Sequence, residues 1–174
     1  MFIRINFIAL IFLTSLTLSG CQEDLLPSND QLSSDSEAQV GATIDDLSYT
    51  LSTDSNGQLS TQLQSHDAVV LYFTMWCPVC DSHMSHIRRS FVSQYPNVDF
   101  IFVDYISGSI NSARGAQTSS GYSDFEVIAD FDDQLQNYLG GTMASTIVIN
   151  KNFTVLMNEE YKTGAQLESI LEGL

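Results

Sequence analysis

The chain has 174 residues, 44% of them hydrophobic, which suffices for one ordinary domain with a packed core beside a targeting segment. Its 21 acidic residues against six basic ones give a formal net charge of −15. Such a surface repels phosphate backbones and anionic headgroups, which excludes nucleic-acid binding; otherwise the acidity marks only a solvated face.

At the amino terminus, Arg4 and the free amine precede an apolar stretch at residues 7–18. That stretch is too short to span a bilayer and has the length of a secretory signal's apolar core. Residues 1–20 are therefore expected to be a signal peptide. The run Leu18-Ser19-Gly20-Cys21 resembles the lipobox of bacterial lipoproteins. The resemblance implies that Cys21 is diacylated, becomes the new amino terminus and anchors the protein in a membrane. An uncleaved anchor with a chance cysteine is the alternative. Gln22 is not the aspartate that resembles an inner-membrane retention signal, so the expected location is the periplasmic face of the outer membrane. Residues 21–43 carry acids, serines and almost no large apolar side chains, the composition of a flexible acidic tether. A coil of about 20 residues spans roughly 25 Å.

Residues 44–174 carry the pattern of a folded domain. Leu47-Ser48-Tyr49-Thr50-Leu51 alternates as a half-buried strand does, and Asp54-Ser55-Asn56-Gly57 supplies a turn. Leu59 and Leu63 start either a short strand or a turn of helix. Residues 69–73 form a continuous apolar run, the signature of a central strand buried on both faces. From Cys77 to about Gln94 the spacing of Met84, Ile87, Phe91 and Val92 predicts an amphipathic helix. Residues 98–103 predict a second buried strand. Residues 105–124 are a Ser- and Gly-rich insert with a weak helical signal at 110–117. A short strand at 125–129 and a helix at 132–139 ended by Gly140-Gly141 follow. Residues 146–149 and 153–156 predict a hairpin about Asn150-Lys151-Asn152. Thr163 is placed to cap a last helix with Leu167, Ile170 and Leu171 on one face. The order gives an α/β fold: a right-handed parallel strand–helix–strand unit and an antiparallel hairpin in one mixed central sheet, with helices on both faces.

The chemistry concentrates at Trp76-Cys77-Pro78-Val79-Cys80, where the central strand gives way to the helix. With Cys21 acylated, Cys77 and Cys80 are the remaining cysteines, an even number in an exported chain. A bridge across so short a loop removes little chain entropy, so the pair suits reaction better than stapling. A cysteine at a helix N-terminus meets unpaired N–H groups and the positive end of the dipole, both of which favour thiolate. A free cysteine of pKa about 8.5 is only roughly 3% thiolate at pH 7. Pro78 lacks an N–H that the first helical turn does not need. Cys77 is thus the expected nucleophile and Cys80 the resolving thiol. Trp76, with Pro78 and Val79, is expected to shield the pair and form a docking surface.

These residues resemble the thioredoxin superfamily, and within it the membrane-anchored TlpA/ResA-like branch. The likeness extends over residues 44–174. It includes Leu47-Ser48-Tyr49-Thr50-Leu51 with Gly57, the stretch from Phe125 to Gly140, and Thr146-Ile147-Val148-Ile149-Asn150. It implies a thioredoxin-like fold, a redox-active Cys77–Cys80 disulfide with no other cofactor, and protein thiols and disulfides as partners. It also implies a reduced working state recharged by a membrane electron carrier. The protein is expected to be a monomer. By the same likeness, the loop before the last central strand faces the cysteines and touches substrate through Met143, Ala144 and Ser145.

Two departures stand out. The family places a cis-proline in that loop, whereas Gly140-Gly141-Thr142-Met143-Ala144-Ser145-Thr146 has none; Ala144 or Ser145 takes its place, depending on register. A cis bond without proline costs roughly 3 kcal/mol, so a trans loop is expected. Thioredoxin proper also buries an acid where this chain has Leu71, which leaves Glu126 and nearby acids, another group or water to take the proton of Cys80.

Two alternatives follow from the same residues. His83 and His86 extend the series Cys77, Cys80 at equal spacing, but on a helix the four spread over half the circumference, and one tetrahedral ion cannot collect them. Cys77 and Cys80 with an outside ligand could handle copper or zinc; the two histidines are expected to be solvent-facing helix residues. A redox-silent module that only binds a partner is the other alternative. Peroxidase chemistry needs a lone activated cysteine beside a Thr or Arg partner, a pattern the sequence lacks.

Overall fold

The computed structural model describes residues 37–174. The expected signal peptide, Cys21 and the tether up to residue 36 lie outside the described residues. Among the described residues no helix is long and apolar enough to cross a membrane.

The elements are β1 (Ser48–Thr50), β2 (Asn56–Gln58), α1 (Leu59–Ser65), β3 (Ala68–Thr74), α2 (Pro78–Ser90), β4 (Val98–Asp104), α3 (Ile110–Ser119), β5 (Glu126–Ala129), α4 (Gln134–Leu139), β6 (Ser145–Asn150), β7 (Val155–Glu160) and α5 (Ala165–Leu171). Strands β5-β4-β3-β6-β7 form one sheet, and β1 and β2 form a separate hairpin. β3, β4 and β5 are parallel, whereas β6 and then β7 return antiparallel. This is the mixed sheet expected from the sequence.

β3 occupies the middle of the sheet and every residue in it is buried. Its alternation decides the two layers, because successive side chains of a strand point to opposite faces. Val70 and Tyr72 join Cys80, Met84 and Ile87 of α2 and Leu167 and Leu171 of α5. Val69, Leu71 and Phe73 join Leu59 and Leu63 of α1 and Leu135 and Leu139 of α4. Burying each layer removes apolar side chains from water at about 25 cal/mol per Å², the main force holding the helices to the sheet.

At Leu59 and Leu63 the helical alternative forms, with both side chains buried four residues apart. Other elements differ from expectation for local reasons. α2 stops at Ser90 and Phe91 caps it, so Val92 falls off the helical stripe and is 37% exposed. The cap of α5 is Gly164 at φ 82°, with Thr163 Oγ1 accepting from Ala165 N at 3.4 Å. Packing also begins upstream of Ile44: Ala38 is buried, Gly41 N donates to Val155 O at 2.8 Å, and Asn158 Nδ2 donates to Ala38 O at 2.7 Å. These residues are apolar or small, and β7 offers them partners, the backbone of Val155 and the side-chain amide of Asn158.

Gly141 lies against the ring of Phe73, and a Cβ there would collide with it. Gly141→Ala is expected to lower unfolding free energy by about 1–3 kcal/mol through overpacking. Gly115 lies exposed inside α3 with open space where a Cβ would stand. Gly115→Ala is expected to raise stability by about 0.5–1 kcal/mol. Urea titration of both variants reads the opposite signs.

Candidate active site

β3 and β4 end at the same edge of the sheet, paired through Thr74 and Asp104. The chain must then turn from β3 into α2 within three residues. Trp76 makes that turn in the left-handed region at φ 57°. Its backbone N donates to Thr74 Oγ1 at 3.1 Å, and its indole Nε1 donates to Asp104 Oδ2 at 2.7 Å. Asp104 is buried and also accepts from the backbone N of Ile106 and Ser107. Sequence reasoning missed Asp104, although an acid closing a buried strand is a visible signal. Trp76 is thereby fixed beside the cysteines, with its ring tilted against Tyr122 at 6.5 Å.

Cys77 is the N-cap of α2 and Pro78 its first helical residue. The Cys77 sulfur accepts from Cys80 N at 3.2 Å and lies 2.6 Å from the Cys80 sulfur. The two are not joined in a disulfide. Burial pushes the Cys77 thiol up, but the Cys80 thiol and the backbone N–H groups of the first turn outweigh it and hold Cys77 below the ordinary cysteine value. Burial followed by the neighbouring Cys77 pushes Cys80 up. Cys77 thus reaches the surface in surroundings that favour its thiolate, whereas Cys80 is wholly buried in surroundings that favour its thiol.

The loop facing the pair contains no cis peptide. Ala144 sits at φ 67°, its N donating to Phe73 O at 3.0 Å and its O accepting from Tyr161 N at 2.8 Å. Ser145 donates its N to Thr142 O, and its Oγ accepts from Thr142 N at 2.8 Å. Both side chains are buried, so of the three residues expected to touch substrate only Met143 reaches the surface, with its Sδ 3.8 Å from Cys77 Sγ. Val79, Met75 and Ile106 add exposed apolar surface nearby in the sequence of the same turns.

The expected proton acceptors lie elsewhere. Leu71 points into the opposite layer, among the residues facing α1 and α4. Glu126 opens β5, two strands from β3, where it accepts from Gln62 Nε2 at 2.9 Å. The histidines expected to face solvent are instead partly buried and bonded to tyrosines: His83 Nδ1 to Tyr72 Oη at 3.0 Å and His86 Nδ1 to Tyr161 Oη at 2.7 Å. Tyr72 and Tyr161 lie 11 and 75 residues from these partners, so no local pattern announces the contacts.

No family model matches the chain, and no curated protein matches it. Solved structures do. A protein described as a thiol:disulfide interchange protein, DsbE of Chlorobium tepidum, superposes with a TM-score of 0.65 at 18% identity, covering 78% of this chain and 96% of its own. A thioredoxin-like protein of Aeropyrum pernix gives 0.61 at 16% identity, covering 74% and 89%. The peroxidoxin BcpB of Mycobacterium tuberculosis gives 0.60 at 19% identity, covering 77% and 94%. At such identities the likeness establishes the fold, which is thioredoxin-like.

The opposed environments of the two sulfurs set an expected alkylation pattern. In the reduced protein, iodoacetamide should modify Cys77 well before Cys80, with a rate that rises through a midpoint below the roughly 8.5 of a free cysteine. Peptide mass spectrometry across a pH series gives both numbers. Equal labelling, or a midpoint above that value, would contradict the assigned roles.

Proposed function

We propose that this protein is a lipid-anchored thiol–disulfide oxidoreductase that reduces protein disulfides outside the cytoplasm. The observation that carries the reading is the seating of Cys77 at the N-cap of α2, its sulfur accepting an N–H bond and standing 2.6 Å from Cys80. Cys77 thiolate attacks one sulfur of a substrate disulfide, forming a mixed disulfide and releasing a substrate thiolate. Cys80 then attacks Cys77 Sγ, closing the Cys77–Cys80 disulfide and releasing the second substrate thiolate. A membrane electron carrier restores the dithiol by the reverse exchange.

The reducing direction is supported by what surrounds the sulfurs. A strongly stabilised thiolate makes a pair oxidising. Here the stabilisation of Cys77 comes from backbone N–H groups and the Cys80 thiol, not from a basic side chain, and Cys80 is disfavoured as thiolate by burial. Peroxidase chemistry gains no support, because Arg88, Arg89 and Arg114 are engaged with Asp124, Ser85 and Ser52 O. Anchoring through Cys21 and a periplasmic, outer-membrane location rest on the Leu18-Ser19-Gly20-Cys21 run. Copper(I) handling is a second reading, favoured by one observation: the Met143 thioether beside Cys77 offers a third soft sulfur to the pair.

The reduction potential tests the first reading and metal content of the same sample the second. Equilibrated in dithiothreitol buffers, the pair is expected at or below about −250 mV, whereas a value near −120 mV would make it an oxidant. Cys77→Ser should abolish turnover of a protein disulfide, and Cys80→Ser should accumulate mixed disulfides visible on a non-reducing gel. Turnover retained by Cys77→Ser would sink the assignment.

A further inference from the structure

Cys80 is wholly buried, yet it must lose a proton before it can resolve a mixed disulfide on Cys77. No carboxylate of the described residues bonds to it: Asp104 accepts from Trp76, Asp81 accepts from Tyr122, and Glu126 accepts from Gln62 two strands away. Tyr72 of β3 is buried in the same packed layer as Cys80, whose thiol adds to burial in pushing the Tyr72 phenol up. The Tyr72 hydroxyl is 3.0 Å from His83 Nδ1, one helical turn beyond Cys80 on α2. The Tyr72 ring is fixed edge-on between Phe102 and Tyr161. It is 1% exposed, whereas His83 is only partly buried and so connects the chain of groups to water.

We propose that Tyr72 and His83 form a proton relay that deprotonates Cys80 during resolution, an inference that rests on the exchange reading above. The Cys80 S–H proton passes to Tyr72 Oη while the Tyr72 O–H proton passes to His83 Nδ1, leaving a phenol and an imidazolium. The Cys80 thiolate pair forms the new bond to Cys77 Sγ. The bond from Cys77 to the substrate sulfur breaks, its electron pair leaves as substrate thiolate, and His83 returns its proton to water. Two electrons pass from the cysteine pair to the substrate, and no further oxidant or reductant enters.

The surroundings suit each group to its part. Burial holds His83 below the ordinary histidine value, with Glu160 of β7 raising it and His86 lowering it further, which favours the uncharged imidazole that a proton acceptor needs. Burial followed by the two cysteines pushes the Tyr72 phenol far up, so it passes a proton on without resting as phenolate. The Tyr161 ring packs on His83 at 4.8 Å, but its hydroxyl is taken by His86 and does not compete for Nδ1. Tyr105, after β4, is the remaining phenol that senses both sulfurs, and burial followed by their charge pushes it up.

The test follows the two bursts of thionitrobenzoate released when the reduced full-length protein meets Ellman's reagent. The first reports attack by Cys77, and the second reports resolution by Cys80. His83→Gln is expected to slow the second burst relative to the first by about 100-fold at pH 7, the lower end of general-base effects, with the deficit shrinking as pH rises and Cys80 ionises unaided. Tyr72→Phe should behave alike, and the double variant should be no slower than either single one. His86→Gln, outside the relay, should leave the second burst unchanged. An unslowed second burst in both single variants, or a slowing equal at every pH, would overturn the relay and leave the exchange reading standing. No second burst in the unaltered protein would overturn both.

Discussion

Asp104 is the group on which the site's geometry depends. It is a buried carboxylate at the end of β4, and it collects N–H bonds from the Trp76 indole, Ile106 and Ser107. A buried carboxyl group with several donors is well compensated for leaving water, and one stripped of them is not. The bond to Trp76 ties the exits of two neighbouring parallel strands together. It also holds Trp76 in a left-handed conformation that bulky residues rarely adopt. Release of that residue would let the chain leave β3 in an ordinary extended path, and Cys77 would no longer meet the first turn of α2.

From that seat the two sulfurs take unlike chemistry from positions one helical turn apart. Cys77 sees the open N–H groups of the helix end, whereas Cys80 sees the layer formed by Tyr72, Met84 and Ile87. The contrast needs no metal and no basic side chain. It follows from helix geometry, since the residue at the cap faces outward and the next on its ridge faces the sheet. The same ridge continues to His83, which is why an imidazole comes to stand over the tyrosine that β3 sends to this face.

Much of the layout was legible in the sequence because it rests on periodicity. The unbroken apolar runs in β3 and β4 declared buried parallel strands, and the alternation at residues 47–51 declared the half-buried strand that holds β1. The chemical pair was legible too, since Cys77 and Cys80 stand at the junction of two periods. What escaped was set by distant partners. His83 and His86 resemble solvent-facing helix residues until Tyr72 and Tyr161 are brought to them by the sheet. Glu126 looked close to the cysteines only while the strand order was open; β4 separates its strand from β3. Ala144 and Ser145 were placed by likeness to a loop whose backbone here runs differently. Packing upstream of Ile44 was hidden because Gly41 is held by a backbone bond to Val155 and Ala38 by the amide of Asn158, more than a hundred residues away in the chain.

That loop also constrains how the sequence can change over generations. Proline fixes φ near −65° and carries no N–H. Ala144 stands at φ 67° with its N–H bonded to Phe73, and the next residue's N–H is bonded to Thr142. A single substitution to proline at either place therefore removes a bond, and at Ala144 it also demands the opposite hand of backbone. The strand exit would have to be re-laid first, by changes that bring no benefit until proline arrives. In sequence space the proline-free loop acts as a ratchet, easy to hold and two steps away from its alternative.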